Sequence, residues 1–376
     1  MMECILICDE GFEKTVQQAL EKQFKEQITN TTVHPTVIAF SLEDNQNGYR
    51  TVAQLCYQFQ GAIKVLTDCQ QFPCKPSLEK TASLARPAAA KLDGTLQRNE
   101  FSFEKIKVSC VRKGEHKFKS VDLAKALFAD IAKGKQREFK NPDMEVLVYI
   151  KDDKGYIGID FAARNLAKRD YKIFIGSSSL RATVAFNALM YAGYGPNKTL
   201  VDPFMGSGTI PLEAGLYASR TSPFFYSKEK FLFTRFMKSV DWKSFFEELD
   251  KNIIEKQIPI YGYDSLLKFL KFSQKNAKIA GINKHINLSK VEVDWIDTKL
   301  KEQSVDLIVT HPPSLTDHSS KTKMNKLYRD LFHRSKDILK KEGSITIIGT
   351  EQTIQGITEA AAVNGFSQKQ KNTIYE

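Results

Sequence analysis

The chain has 376 residues, 42% of them hydrophobic and 26% charged, which is too long for one ordinary core and predicts two or three soluble globular domains. It contains no apolar run of membrane-spanning length and no signal-peptide pattern at its N-terminus, so we expect a cytosolic protein that does not span a membrane. The formal net charge of +11 is unevenly placed: residues 1–60 carry 4 Lys+Arg against 8 Asp+Glu, residues 61–180 carry 23 against 15, and residues 181–376 carry 28 against 21. A basic excess spread in this way suits a protein that grips phosphates over a wide surface, although a lysine-rich composition alone would also give it. All six cysteines (Cys4, Cys8, Cys56, Cys69, Cys74, Cys110) lie in the first third without a CxxC pair, which argues against zinc and against a disulfide framework.

In chain order, residues 3–8 read as a strand, residues 11–24 as an amphipathic helix and residues 33–42 as a second strand region, with a turn at Asn45 to Gly48. So small a unit buries little alone and should pack on the segment from about 61 to 172. Residues 103–111 alternate as a strand, and a polar loop with Arg112, Lys113, Gly114, His116, Lys117, Phe118 and Lys119 comes after it. A helix carrying Ala124, Leu127, Phe128 and Ile131 is next, with Ser120 or Asp122 available as its cap. After Asn141-Pro142-Asp143 two strands, 144–150 and 156–161, are joined by a turn at Asp152 to Gly155. This order of strand, Arg-x-Gly-x-His-x-Phe-x-Ser, helix, Asn-Pro and hairpin ending in Gly158-Ile159-Asp160 resembles a THUMP domain. The resemblance implies RNA binding, typically of the acceptor end of tRNA, and a small ferredoxin-like domain at residues 1–60. Arg112, Lys113, His116, Lys117 and Lys119 are then the RNA-contact candidates, beside a helix start whose amides also favour phosphate. A plain solvated lysine face is the competing reading.

A short strand and serine-rich turn from Tyr171 to Ser179 make a linker, and residues 180–192 form an amphipathic helix. The segment from Leu200 to Glu213 then runs from an apolar strand into Asp202, a loop with Gly206 and Gly208, and an apolar helix, the way a doubly wound sheet presents a small-molecule site. Pro211 stands where a dinucleotide fingerprint needs its third glycine, and the loop lacks the Gly-Lys-Ser/Thr ending of a phosphate-binding loop. Asp202-Pro203-Phe204-Met205-Gly206-Ser207-Gly208-Thr209 resembles the first motif of class I S-adenosylmethionine-dependent methyltransferases, in the form typical of nucleic-acid amino methyltransferases. By that resemblance Gly206 and Gly208 let the methionine part of S-adenosyl-L-methionine approach without a side-chain collision, Asp202 accepts from its ammonium, and Phe204 and Thr209 join the pocket.

The next strand, Ile258 to Asp264, supplies Asp264 for the ribose hydroxyls, 56 residues after Gly208. The excess lies in residues 222–257, whose aromatics (Phe224, Phe225, Tyr226, Phe231, Phe233, Phe236, Trp242, Phe245, Phe246) read mostly as local core, with base stacking the minority reading. A third strand over 286–293 ends at Asp294 and Trp295, placed to accept from and to cover the adenine ring, with Asp297 as a competitor. The fourth strand, 304–310, leads into His311-Pro312-Pro313-Ser314, where amino methyltransferases carry Asn or Asp, Pro-Pro and an aromatic. There the Asn or Asp oxygen and the first proline's carbonyl take the two hydrogens of an exocyclic amine, and the aromatic stacks on the flipped base. Neutral His311 keeps one accepting nitrogen, whereas Ser314 cannot stack; either another aromatic such as Tyr328 covers the base, or the site is altered or dead. A His311 acceptor predicts activity that falls below about pH 6.5, the ordinary histidine value. No cysteine lies in this half to serve carbon-5 methylation, and His318 and His333 match no metal-ligand spacing. The fifth strand, 342–349, and a helix to about residue 363 leave room for one more strand, so the sheet edge is expected to be abbreviated.

The expected architecture is therefore α/β: a class I methyltransferase Rossmann-like doubly wound sheet at 181–376, preceded by α+β ferredoxin-like (1–60) and THUMP (61–172) domains and a linker at 173–180. The chain resembles THUMP-containing class I RNA methyltransferases of the UPF0020 type. The resemblance implies methyl transfer from S-adenosyl-L-methionine to N2 of a guanosine, in tRNA ahead of rRNA; no metal is needed, and a monomer is favoured with the oligomeric state left open. A non-catalytic RNA-binding protein and an N6-adenine methyltransferase are the alternatives.

Overall fold

The computed structural model describes residues 1–98, 100–314 and 320–375. Two compact units make up the chain, one from Met1–Leu166, Tyr226–Lys251 and the C-terminal Ile374 and Tyr375, the other from Ala167–Phe225 and Asn252–Thr373. Among the described residues no helix is long and apolar enough to cross a membrane.

The first unit is built on one mixed sheet. β1 (Met2–Ile7) leads through α1 (Glu13–Phe24) to a hairpin of β2 (Thr29–His34) and β3 (Val37–Leu42), then come α2 (Gln46–Gln58), β4 (Lys64–Pro73) and α3 (Leu78–Leu96). β5 (Lys105–Lys113), α4 (Ser120–Ile131), β6 (Gln136–Arg137), β7 (Met144–Lys151) and β8 (Lys154–Asp160) complete it. The strand order is β2-β3-β1-β4-β8-β7-β5-β6, with β5 parallel to both neighbours. Residues 1–60 and 61–172, expected as two domains, share this sheet without a break, because Ile5, Val37, Leu66, Leu147 and Tyr149 bury one another in a common core. The hydroxyls of Thr36 and Tyr149 meet across it at 2.6 Å.

Two local expectations are corrected here. Asn45 to Gly48 is no turn but the start of α2: Asn45 is its N-cap, and its side-chain oxygen accepts from the Gly48 amide at 3.0 Å. Neither Ser120 nor Asp122 caps α4; Lys119 stands at the cap without a side-chain bond, and the Ser120 hydroxyl accepts instead from Arg112 Nε at 3.4 Å.

The second unit opens with residues 167–181, which form no strand, contrary to the expected one at 171–179. The Phe174 backbone is held by the Asn276 side chain instead of by a strand partner. α5 (Ala182–Tyr191), β9 (Leu200–Asp202) and α6 (Thr209–Ser219) come next. Residues 226–251, with α7 (Phe233–Phe236) and α8 (Trp242–Asp250), belong to the first unit. The second resumes with β10 (Ile260–Asp264), α9 (Leu267–Ile279), β11 (Asn287–Lys290), β12 (Val305–Thr310), α10 (Lys321–Ile338), β13 (Leu339–Ile347) and α11 (Glu351–Val363). Among the described residues its five strands are all parallel in the order β11-β10-β9-β12-β13. The order reverses between β9 and β12, so the crevice for a ligand opens at their carboxyl ends.

β11 stops at Lys290, shorter than the expected 286–293, and Val293–Thr298 winds into a 3₁₀ helix. After α11 the described residues form no further strand; Tyr375 makes only an isolated bridge with Glu10. From Phe231 to Phe246 the aromatics are core, packed on one another and on the rest of the first unit, whereas Tyr226 is exposed. Phe231 and Phe246 pack on Tyr57, while Phe233 and Phe236 pack on Phe161. The Ser102 amide donates to Phe236 O at 2.8 Å, and Tyr57 Oη donates to Asp250 at 2.8 Å. Burying this many rings contributes on the order of 1.5–3 kcal/mol each and fixes the segment on the first unit.

Candidate active site

The crevice of the second unit is a cavity of about 710 Å³, within the range of small-molecule sites. Asp202, Phe204, Gly206, Thr209, Asp264, Asp294 and the whole of His311-Pro312-Pro313-Ser314 line it, so the glycine loop and the proline motif share one cavity.

Three strand ends build the walls. Asp202 closes β9 and is buried; its Oδ1 accepts from the Thr310 hydroxyl at 2.6 Å and from the Phe204 amide at 3.2 Å. Burial pushes its carboxyl up to about 7, against the pull of those two donors. Thr310 ends β12 directly before His311, so this one hydroxyl joins the acid of the first motif to the root of the last. Asp264 closes β10 and takes the Gly206 amide on Oδ2 at 3.1 Å and the Leu266 amide on Oδ1 at 2.9 Å, each oxygen retaining a further acceptor position. Desolvation raises its carboxyl as well.

The two glycines differ in what they do. Gly206 sits at φ +52° with nothing near the place of a Cβ, so its face of the loop is open. Gly208, at φ +87°, does not line the cavity; a Cβ there would stand 2.8 Å from Ser273 Cβ of α9 and from Leu212 Cδ1. The collision expected with a ligand at Gly208 is in fact with a neighbouring helix. This glycine lets α6 start tight against α9.

Other expected residues move. Trp295 is 59% exposed and does not line the cavity, because the 3₁₀ turn at Val293–Thr298 carries it outward; Val291, Glu292 and Val293 form that wall beside Asp294. Asp297 is turned to Arg334, which donates to it at 3.2 Å. Tyr328 is buried and cannot cover a base, but its hydroxyl donates to Pro313 O at 2.6 Å and so holds the proline turn. Leu180, Phe269 and Leu327 line the cavity as apolar surface. His318 lies outside the described residues, and among those described no three His, Cys, Asp or Glu side chains are grouped to hold a metal.

Asn276 is the residue that sequence reasoning misses. Fully buried on α9, it donates to Ser207 O at 3.1 Å and Phe174 O at 2.8 Å and accepts from the Phe174 amide at 3.0 Å. It thus ties the glycine loop to the segment before α5, where Ser179 meets the Ser207 hydroxyl at 2.9 Å and lines the cavity. Beneath α6, Glu213 receives Arg169 on both oxygens (3.1 and 3.0 Å) and the Tyr171 hydroxyl at 2.6 Å.

In the first unit the RNA-contact candidates divide. Arg112 lies over the Phe118 ring and donates to His116 O at 3.3 Å, while His116 Nε2 lies 2.7 Å from Asp152 O. These two half-buried side chains brace the loop from which the lysines project. Lys117 and Lys119 are exposed and Lys113 half-buried.

Residues 169–374 match the methyltransferase domain model described as UPF0020, RMKL-like, and residues 87–160 match the THUMP domain model. A tRNA (guanine(6)-N2)-methyltransferase of Methanocaldococcus jannaschii is 28% identical over 272 residues, 69% of this chain and 70% of that one. The ribosomal RNA large subunit methyltransferase K/L of Vibrio parahaemolyticus is 29% identical over 179 residues, 46% of this chain but only 25% of the relative. The crystal structure of SMU.472 complexed with SAH superposes with a TM-score of 0.77 at 17% identity, covering 100% of this chain and 94% of that one, a likeness of fold. The cofactor of such an enzyme is S-adenosyl-L-methionine, and a cavity with an acid at the end of each of its first two strands and an open glycine face fits it. The chain belongs to the UPF0020 methyltransferase family and carries a THUMP domain.

Proposed function

We propose that the enzyme methylates N2 of a guanosine in RNA, and in tRNA rather than rRNA. The observation that carries this reading is His311-Pro312-Pro313-Ser314 lining the same cavity as Asp202 and Gly206. The THUMP domain and the names of the relatives, tRNA and rRNA methyltransferases, support the substrate class.

S-adenosyl-L-methionine supplies a sulfonium methyl that is already activated, so the protein's task is to hold both partners and to ready the amine. Asp202 takes the ammonium end, Asp264 the ribose hydroxyls on its remaining acceptor positions, and Asp294 with Val291 and Val293 the adenine edge. The guanine amine is a poor nucleophile because its lone pair is delocalised into the ring. The neutral His311 ring and the Pro312 carbonyl accept its two hydrogens and turn that lone pair toward the methyl. Tyr328 keeps the turn in place through Pro313 O. Leu180, Phe269 and Leu327 give the base the apolar surface that Ser314 lacks. Lys113, Lys117 and Lys119 contact phosphates on the first unit.

The test is mass spectrometry of nucleosides from bulk tRNA incubated with the protein and S-adenosyl-L-methionine. Gain of N2-methylguanosine is expected. N6-methyladenosine would reassign the target base, and cofactor binding without transfer would favour a non-catalytic RNA-binding protein.

A further inference from the structure

Phe139 is 63% exposed, the only exposed phenylalanine among the described residues. It comes directly after β6, the last strand of the first unit's sheet, which bonds to β5 through Gln136 N to Glu104 O and Glu138 N to Ile106 O, both at 3.0 Å. The ring is not on a loose loop. One Glu138 carboxylate oxygen accepts from the Phe139 and Lys140 amides, both at 2.8 Å, closing a tight turn. Those bonds hold the Glu138 carboxyl below its usual range. The Arg137 guanidinium lies 4.4 Å from the Phe128 ring centre and 5.5 Å from that of Phe139, so one cation bridges a half-buried ring and the surface ring. Lys133, Lys135, Arg137 and Lys140 are set against the single acid Glu138 over residues 133–140, and that acid is engaged by the backbone.

We infer that Phe139 and this basic edge form a stacking platform for an unpaired RNA nucleotide. A flat ring fixed at the surface among cations is what a single strand needs: any base stacks on the ring, and lysines to either side take the phosphates. The platform rests on the proposal that the substrate is RNA. It lies at the opposite end of β5 from Lys113, Lys117 and Lys119, since β6 pairs with Lys105 and Ile106.

The test uses the full chain and three probes at fixed salt: a tRNA transcript, a short single-stranded RNA, and a blunt RNA duplex. Phe139→Ala should weaken binding of the first two by about 5- to 100-fold and leave the duplex unchanged, and Phe139→Trp should restore it. The slope of log Kd against log salt should stay constant in Phe139→Ala but fall by about one in Lys140→Ala. Unchanged affinity of Phe139→Ala, with the wild type binding normally, would overturn the platform and leave the RNA reading standing. Failure of the wild type to bind any of the three would overturn both. Loss of a dimer in Phe139→Ala by sedimentation, without change in RNA affinity, would assign the ring to self-association and overturn the platform.

Discussion

Glu213→Ala should unfold the methyltransferase unit far more readily than an ordinary helix substitution. Glu213 and the Arg169 side chain are fully buried, joined by two hydrogen bonds, and the Tyr171 hydroxyl donates to the same carboxylate at 2.6 Å. Removing the acid leaves a guanidinium and a phenol without that acceptor where water does not reach. Breaking a buried pair on one side costs about 3–5 kcal/mol. With a urea m-value of about 2 kcal/mol/M, a loss of about 4 kcal/mol lowers the midpoint by about 2 M. Urea unfolding should be followed by hydrogen exchange of the α6 peptides, which report this unit and not the THUMP unit. Replacing the whole group, as Arg169→Met, Tyr171→Phe and Glu213→Leu together, should recover most of the loss, because the desolvation penalty disappears with the charges. A midpoint shift below about 0.5 M in Glu213→Ala would refute the reasoning.

The cavity walls have consequences of their own. The free Asp202 carboxyl titrates at about 7 and must be ionised to meet an ammonium group, so cofactor affinity measured by calorimetry should weaken about tenfold per pH unit below that value and level off above it. Thr310→Val removes a donor to the ionised form and should move this curve to higher pH, with Thr310→Ser restoring it; superimposable curves would contradict the coupling. Gly208→Ala should lower stability by about 1–3 kcal/mol in thermal melts, through positive φ and the contact with Ser273. Gly206→Ala, with open space around it, should instead lose cofactor affinity first, and the reverse pattern would show the two roles to be exchanged.

What could be read in the chain was what lies at strand ends. Asp202, Asp264 and His311 each come after an apolar strand, and the parallel sheet brings all three to one crevice whatever the detail of the connections. Trp295 was legible only as a position after β11; one 3₁₀ turn sent it outward, and no periodicity marks such a turn. Asn276 reads as a solvated polar residue of an amphipathic helix, since its partners Phe174 and Ser207 are distant in sequence. β4 and α3 resist pattern reading for physical reasons. A register shift with Asp68 at φ +51° breaks the alternation of β4, and Pro87 stands inside α3. The basic loop after β5 was legible as a motif, yet the packing of Arg112 over the Phe118 ring is not marked by any sequence pattern.

The most direct test of the proposed activity is isotope-labelled methyl transfer to tRNA, with nucleosides resolved by mass spectrometry, comparing wild type with His311→Ala. The wild type should place label on N2-methylguanosine, and His311→Ala should lose about 100-fold or more with cofactor affinity unchanged. Label on another base, or full activity of His311→Ala, would contradict the assignment.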